Sequence, residues 1–158
     1  MLENKKERIK EGMVKVPKIL KKSKEKNIAV FVDGPNLLRK EFNVDLGRLA
    51  TQIERYGKIA IAKVFLNQFA PQKLIEAVSS EGMEVVVTPV DCDVALATEM
   101  MEAVHNPNID IICVVTRDGD FQPPIMKAKK HGKETMAFGI RKNLSESLIN
   151  SVDKFVDL

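Results

Sequence analysis

The chain has 158 residues, of which 44% are hydrophobic and 30% are charged, and its formal net charge is +3. This composition is typical of a soluble, single-domain globular protein, because its apolar runs fall well short of the roughly 20 residues that a membrane span requires. We therefore expect no membrane span, no secretory signal and a cytoplasmic location. The two cysteines lack CxxC or Cys/His spacing, so neither a disulfide framework nor a structural zinc site is predicted.

The chain begins with a basic arm. Residues 1–26 contain ten Lys/Arg against four Asp/Glu, a balance of +6, whereas the remaining 132 residues contain 15 against 18, a balance of −3. Such an arm is either a solvated, partly helical tail or a phosphate-contacting element that adds salt-dependent affinity for nucleic acid. We predict two parts, an arm over 1–26 and a folded domain over 27–158.

From residue 27 onward, short β-branched runs alternate with longer helical patterns, which predicts βαβ units and a parallel sheet. The predicted strands are 28–32, 58–66, 83–89, 109–116 and 134–139, with a short edge strand in "VDKFVDL". The predicted helices are 44–56, 71–81, 92–105, 122–131 and 144–151. Gly57, Gly82 and Gly132 are expected to follow helix C-termini, and "NLSE" at 143–146 resembles a capping box.

Carboxylates stand where two of the predicted strands end. Asp33 follows "IAVFV", and Asp118 and Asp120 follow "IDIICVVT" after one intervening arginine. If strands one and four are neighbours whose connections leave in opposite directions, their carboxyl ends define a ligand crevice in which these acids meet. The structural alternative is that each Asp-Gly only forms a turn, but its occurrence at two strand ends favours a site.

A third source of carboxylates is "PVDCDVALATEM", where Asp93 and Glu99 lie near the start of a predicted helix. Asp93 could equally cap the helix, and Glu99 could face solvent. Cys92 has no neighbouring base in the sequence and is not expected to act as a nucleophile.

Like charges gathered in one crevice repel each other and require compensation, most simply by a divalent cation. Ligands that are all oxygen indicate Mg²⁺ or Mn²⁺ rather than zinc. Such ions catalyse phosphodiester hydrolysis. Two polar residues could assist: Asn36 either caps a turn or contacts phosphate or a bound water, and Thr116 either caps a turn or bonds a metal ligand.

The segments "VFVDGPNLL", "VDCDVALATEM", "VVTRDGDFQPPIMKAKKHGKE" and "LSESLINSVDKFVDL" together resemble the NYN domain, a branch of the PIN-like nuclease superfamily. The resemblance covers about residues 27–158. It implies a PIN-like three-layer α/β/α sandwich with a central, mainly parallel sheet of five or six strands. It also implies an acidic, Mg²⁺-dependent ribonuclease-type site.

Matching motif by motif, the resemblance gives Asp33, Asp93, Asp118 and Asp120 as catalytic acids and metal ligands, with Asn36 as the polar partner of Asp33. Glu99 stands where many relatives carry Asp, and is taken as a further metal ligand. Arg117 stands where a small residue is common, and either contacts phosphate or obstructs the site. Asn36, Thr116 and Arg117 are the predicted substrate-binding residues.

The sequence therefore predicts a metal-dependent endoribonuclease, with RNA as its partner and self-association into a homo-oligomer left open. The alternative is an RNA-binding or regulatory module that keeps the acidic cluster but has little turnover. A phosphatase of the haloacid dehalogenase type is disfavoured, because "DGPN" lacks the second Asp of the DxD nucleophile motif.

Overall fold

A computed structural model of the chain describes residues 24–37, 44–89, 91–116, 119–141 and 144–158, without the side chains of residues 36 and 37. Most of the basic arm lies outside these ranges, as do two predicted site residues, Arg117 and Asp118. Within the described ranges, no helix has both the length and the apolar character needed to cross a membrane.

The described part of the chain forms six strands and six helices. The strands are β1 (Asn27–Asp33), β2 (Lys58–Asn67), β3 (Glu84–Thr88), β4 (Ile111–Val115), β5 (Glu134–Gly139) and β6 (Lys154–Asp157). The helices are α1 (Gly34–Leu37), α2 (Leu46–Ile53), α3 (Gln72–Ser80), α4 (Cys92–Val104), α5 (Gln122–Lys130) and α6 (Glu146–Ser151). A 3-10 turn, Gly119–Phe121, precedes α5.

All six strands lie in one parallel sheet with the order β3-β2-β1-β4-β5-β6. The chain leaves β1 toward β2 and β3 on one side, and continues from β4 toward β5 and β6 on the other. The order reverses between β1 and β4, which pair directly with Val32 beside Val115. This is the switch point at which doubly wound sheets bind ligands.

Each face of the sheet is covered by helices, so the strands are apolar on both sides. One face packs against α4, α5 and α6 through Phe31, Phe65 and Val114. The other face packs against α2 and α3 through Val30, Val64 and neighbouring residues. The predicted three-layer α/β/α architecture with a parallel sheet is confirmed.

The helix ends agree with the sequence in part. Gly82 and Gly132 follow α3 and α5 with φ of 78° and 79°, the left-handed conformation expected after a helix. The expectation that Gly57 follows a helix C-terminus in the same way is wrong. Gly57 is needed for close packing, because a side chain there would overlap the Lys26 carbonyl oxygen.

The expectation of a capping box at 143–146 is also wrong, because α6 begins only at Glu146. Its N-cap is Ser145, which makes no side-chain capping hydrogen bond. The Ser145 hydroxyl instead lies 2.7 Å from the hydroxyl of Ser147.

Candidate functional site at the carboxyl edge of the sheet

The centre of the candidate site is Asp33, the last residue of β1. Its side chain is fully buried (0% exposed), as is that of Thr116, the residue that follows β4. Thr116 Oγ1 donates a hydrogen bond of 2.8 Å to Asp33 Oδ2. Because β1 and β4 are parallel neighbours, residues 83 positions apart in sequence meet at the carboxyl edge. The structure thus brings the predicted first acid against one predicted substrate-binding residue.

Glycines allow the backbone segments to approach closely around Asp33. A side chain at Gly34 would overlap the Phe65 carbonyl oxygen of β2, and one at Gly139 would crowd the carbonyl oxygen of Thr116. Among the described glycines, neither has the positive φ seen at Gly82 and Gly132. The glycine of the first Asp-Gly pair is therefore needed for packing against β2 rather than for a left-handed turn.

Asp93 lies in the first turn of α4 and is partly buried. The adjacent Cys92 shows how acidic the surroundings of Asp93 are. Burial raises the pKa of the Cys92 thiol, and the charges of Asp33, Asp93 and Asp91 raise it further. Asp33 and Asp93 are thus both close enough to act on one sulfur atom. The raised pKa keeps Cys92 protonated, which agrees with the expectation that it is not a nucleophile.

Asp91 occupies the N-cap position of α4, but its side chain makes no capping hydrogen bond. The helix start therefore does not depend on a carboxylate cap from this residue. Asp91 instead adds a further negative charge beside Cys92.

Asp120 is exposed in the 3-10 turn, which the buried side chain of Phe121 anchors in the core. A side chain at Gly119 would lie against the hydroxyls of Ser145 and Ser147. These two serines therefore support the turn that carries Asp120. Supporting this turn is a role that the sequence did not indicate, although "LSES" belongs to one of the segments that resemble the NYN domain.

Glu99 has a different environment from the aspartates. Its Oε2 atom lies 2.7 Å from Lys63 Nζ of β2, and Lys63 Nζ is also 3.9 Å from Glu84 Oε2. The hydrogen bond from Lys63 to Glu99 raises the pKa of Lys63 above its usual value. Glu99 also lies about 9 Å along the helix axis from Asp93, as six residues of α helix require. With this ion pair in place, only the other oxygen, Oε1, would be available for the predicted role of Glu99 as a metal ligand.

The remaining predicted residues are described only in part. Asn36 belongs to α1, but its side chain lies outside the description, as do Arg117 and Asp118. In the part of the chain that is described, no group of three or more His, Cys, Asp or Glu side chains is placed to hold a metal ion. The described aspartates, Asp33, Asp93 and Asp120, thus do not form such a group by themselves. Because Asp118 lies outside the described residues, convergence of all four aspartates stays a prediction.

Comparison with known proteins agrees with this architecture. An uncharacterised protein of Methanocaldococcus jannaschii is 45% identical over 141 residues, which are 89% of this chain and 59% of that protein. The chain thus spans about three fifths of the length of this curated relative. A solved structure of a Vibrio parahaemolyticus protein of unknown function matches with a TM-score of 0.78 at 21% identity, covering 86% of this chain and 94% of that one. This structural likeness shows the shared fold.

The family comparison covers almost the whole folded domain. The NYN domain model matches residues 27–158, the same range over which the sequence motifs resemble that domain. The motifs, the fold and the family match therefore agree that this chain belongs to the NYN domain family.

Proposed function

We propose that this protein is a metal-dependent ribonuclease that hydrolyses phosphodiester bonds of RNA at the carboxyl edge of the sheet. Membership of the NYN family suggests a nuclease. The observation that carries the proposal is the buried Asp33 carboxylate, held by Thr116 at the switch point between β1 and β4. A ligand crevice at that position is the general expectation for a doubly wound sheet.

The donor chemistry fits a hard divalent cation. Asp33, Asp93 and Asp120 offer carboxylate oxygens, and the thiol of Cys92, next to Asp93, has a raised pKa that keeps it protonated. Such donors suit Mg²⁺ or Mn²⁺ better than zinc. Asp33, Asp93, Asp118 and Asp120 would hold the ion, and Glu99 could add the carboxylate oxygen that does not contact Lys63.

When bound, the cation supplies Lewis-acid stabilisation of the charge that develops on the phosphate oxygens. The residues of the chain provide the geometry. Thr116 orients the Asp33 carboxylate through its hydroxyl, and the core around both residues excludes water. Asp120 is exposed in the 3-10 turn, so a phosphodiester could contact it directly.

RNA as the substrate is supported by the charge distribution. The domain over 27–158 has a balance of −3, which disfavours the approach of a polyanion, whereas residues 1–26 have a balance of +6. A basic segment next to an acidic domain can attract RNA without placing lysines among the metal ligands.

The proposal is tested by incubating purified protein with structured and single-stranded RNA in Mg²⁺, Mn²⁺ or EDTA. We expect cleavage in the presence of either metal, none in EDTA, and a loss of at least about 100-fold in Asp33→Asn or Asp118→Asn, as is typical when a group that stabilises transition-state charge is removed. Asp110→Asn is the matched control, because Asp110 precedes β4 at the opposite edge, where it accepts a hydrogen bond from the Asn27 backbone. RNA binding without cleavage under all conditions would instead support the RNA-binding or regulatory module.

A further inference from the structure

We propose that Phe69 is a stacking platform for an unpaired base of the RNA that lies along the carboxyl edge of the sheet. This inference rests on the proposed action on RNA and adds a preference for single-stranded substrate. It assigns a binding role to a residue outside the acidic site.

Phe69 lies at the same edge of the sheet as Asp33. β2 is the neighbour of β1, and Phe65 of β2 is paired with Asp33 in the register of the two strands. β2 ends at Asn67, and Phe69 follows two residues later, in the connection to α3. An RNA strand whose phosphate reached Asp33 would therefore have nucleotides within reach of this connection.

The exposure of Phe69 is unusual for this protein. Its ring is 82% exposed, whereas Phe31, Phe65, Phe121 and Phe138 are almost fully buried. The turn that presents it is held by Asn67, whose Oδ1 accepts a hydrogen bond of 3.0 Å from the Phe69 backbone N–H. The Asn67 carbonyl oxygen accepts another, of 3.1 Å, from Ala70. These bonds hold the backbone that carries the ring, so that ordering the turn adds little to the cost of stacking a base on Phe69.

The chemistry of the connection favours an anionic, base-bearing partner such as a nucleic acid over a basic or neutral one. Residues 67–73, "NQFAPQK", contain no acidic side chain, although the domain as a whole is acidic. Lys73 is exposed in the first turn of α3, four residues after Phe69. Proteins hold single strands with exposed aromatic rings and cations of the same surface segment, because the rings stack on bases and the cations contact phosphates.

The test compares binding of two single-stranded probes of ten nucleotides, one an RNA of mixed sequence and the other a base-free sugar-phosphate strand with the same charge. Affinities are measured by fluorescence anisotropy in EDTA, which prevents hydrolysis. We expect Phe69→Leu to weaken RNA binding by about 5- to 100-fold, as loss of one stacked base implies, and to leave binding of the base-free strand unchanged. Phe69→Tyr should bind RNA as the wild type does.

Met126→Ala is the matched control, because Met126 is another exposed apolar side chain, on α5, and its removal should change neither affinity. Equal RNA affinity of Phe69→Leu and the wild type, in a protein that cleaves RNA, would overturn the inference and leave the proposed function standing. A change of oligomeric state in Phe69→Leu, by light scattering, with unchanged RNA affinity would show that Phe69 contacts another copy instead. A wild-type protein that neither binds nor cleaves RNA would overturn the proposed function and this inference with it.

Discussion

Thr116 determines how the Asp33 carboxylate is presented, because its hydroxyl is a buried donor 2.8 Å from Asp33 Oδ2. Thr116→Val keeps the shape of the side chain but removes the donor. We expect a stability loss of about 1.5 to 3 kcal/mol, the usual contribution of a hydrogen bond to a charged group, and a fall in kcat of about 10-fold or more. Melting curves and single-turnover RNA cleavage measure the two effects.

Thr116→Ser is the control for this prediction, since it retains the hydroxyl and should recover most of kcat. A Thr116→Val variant with wild-type kcat would mean that the orientation of Asp33 is unimportant for turnover.

The meeting of Asp33 with the end of β4 could be predicted from sequence only on the condition that β1 and β4 are neighbours, because neighbouring parallel strands have their carboxyl ends at one edge. The ion pair between Glu99 and Lys63 could not, since it depends on how α4 rotates and slides against β2. The packing of Gly34 against β2 could not be predicted from sequence either, because an Asp-Gly pair is equally consistent with a simple turn.

At the scale of elements, Asp153 links the connection between α6 and β6 to the start of β5 through hydrogen bonds. Its Oδ2 accepts hydrogen bonds from the backbone N–H and the hydroxyl of Thr135, at 2.9 and 3.0 Å. Burial raises the pKa of the Asp153 carboxyl, but the hydrogen bonds from Thr135 and the charge of Lys129 outweigh burial and leave the pKa below its usual value. The ionised form is thus favoured in the folded state.

A lowered folded-state pKa contributes stability above the unfolded-state pKa of about 3.9, and that contribution is lost as the pH falls through the folded-state value. Because Asp153 is partly exposed, we expect Asp153→Asn to cost only about 0.5 to 1 kcal/mol at pH 7. The difference from wild type should shrink below about pH 4 in urea unfolding. A difference that stays constant down to pH 3 would assign the effect to geometry rather than charge.

Most elements could be predicted from the sequence because β-branched runs and helical periodicity are strong over five or more residues. The six strands, including the edge strand β6, lie within two residues of the predicted positions. The four-residue helix α1 was missed, since it is too short to show a periodic pattern. The start of α6 was misplaced because "NLSE" offers two serine or asparagine caps within three residues.

At the scale of the whole molecule, the alternation of strands and helices predicted a parallel sheet. It did not predict the strand order, so the meeting of the acids was expected only if β1 and β4 were neighbours. Periodicity shows which faces are apolar and does not show which strand lies beside which. The observed order β3-β2-β1-β4-β5-β6 supplies the missing step, because it places β1 against β4.

The basic arm joins the domain at the amino end of β1, roughly 20 Å from Asp33 at 3.3 Å per residue of strand. Residues 1–23 can span at most about 75 Å, so their cations can reach RNA at the site. Removing residues 1–24 should weaken RNA binding and flatten the slope of log affinity against log salt, while cleavage at saturating RNA persists. Unchanged affinity and slope would make the arm a tail or a protein-contact element.

The central claim is that acids at the switch point between β1 and β4 form one metal site, and Mn²⁺ located by anomalous diffraction in crystals of the wild type tests it most directly. We predict an anomalous peak for one manganese ion that is coordinated by Asp33 and by at least one of Asp93, Asp118 and Asp120. This peak should be absent from crystals of Asp33→Asn. Manganese bound only at other carboxylates, with none at Asp33 in the wild type, would contradict the account.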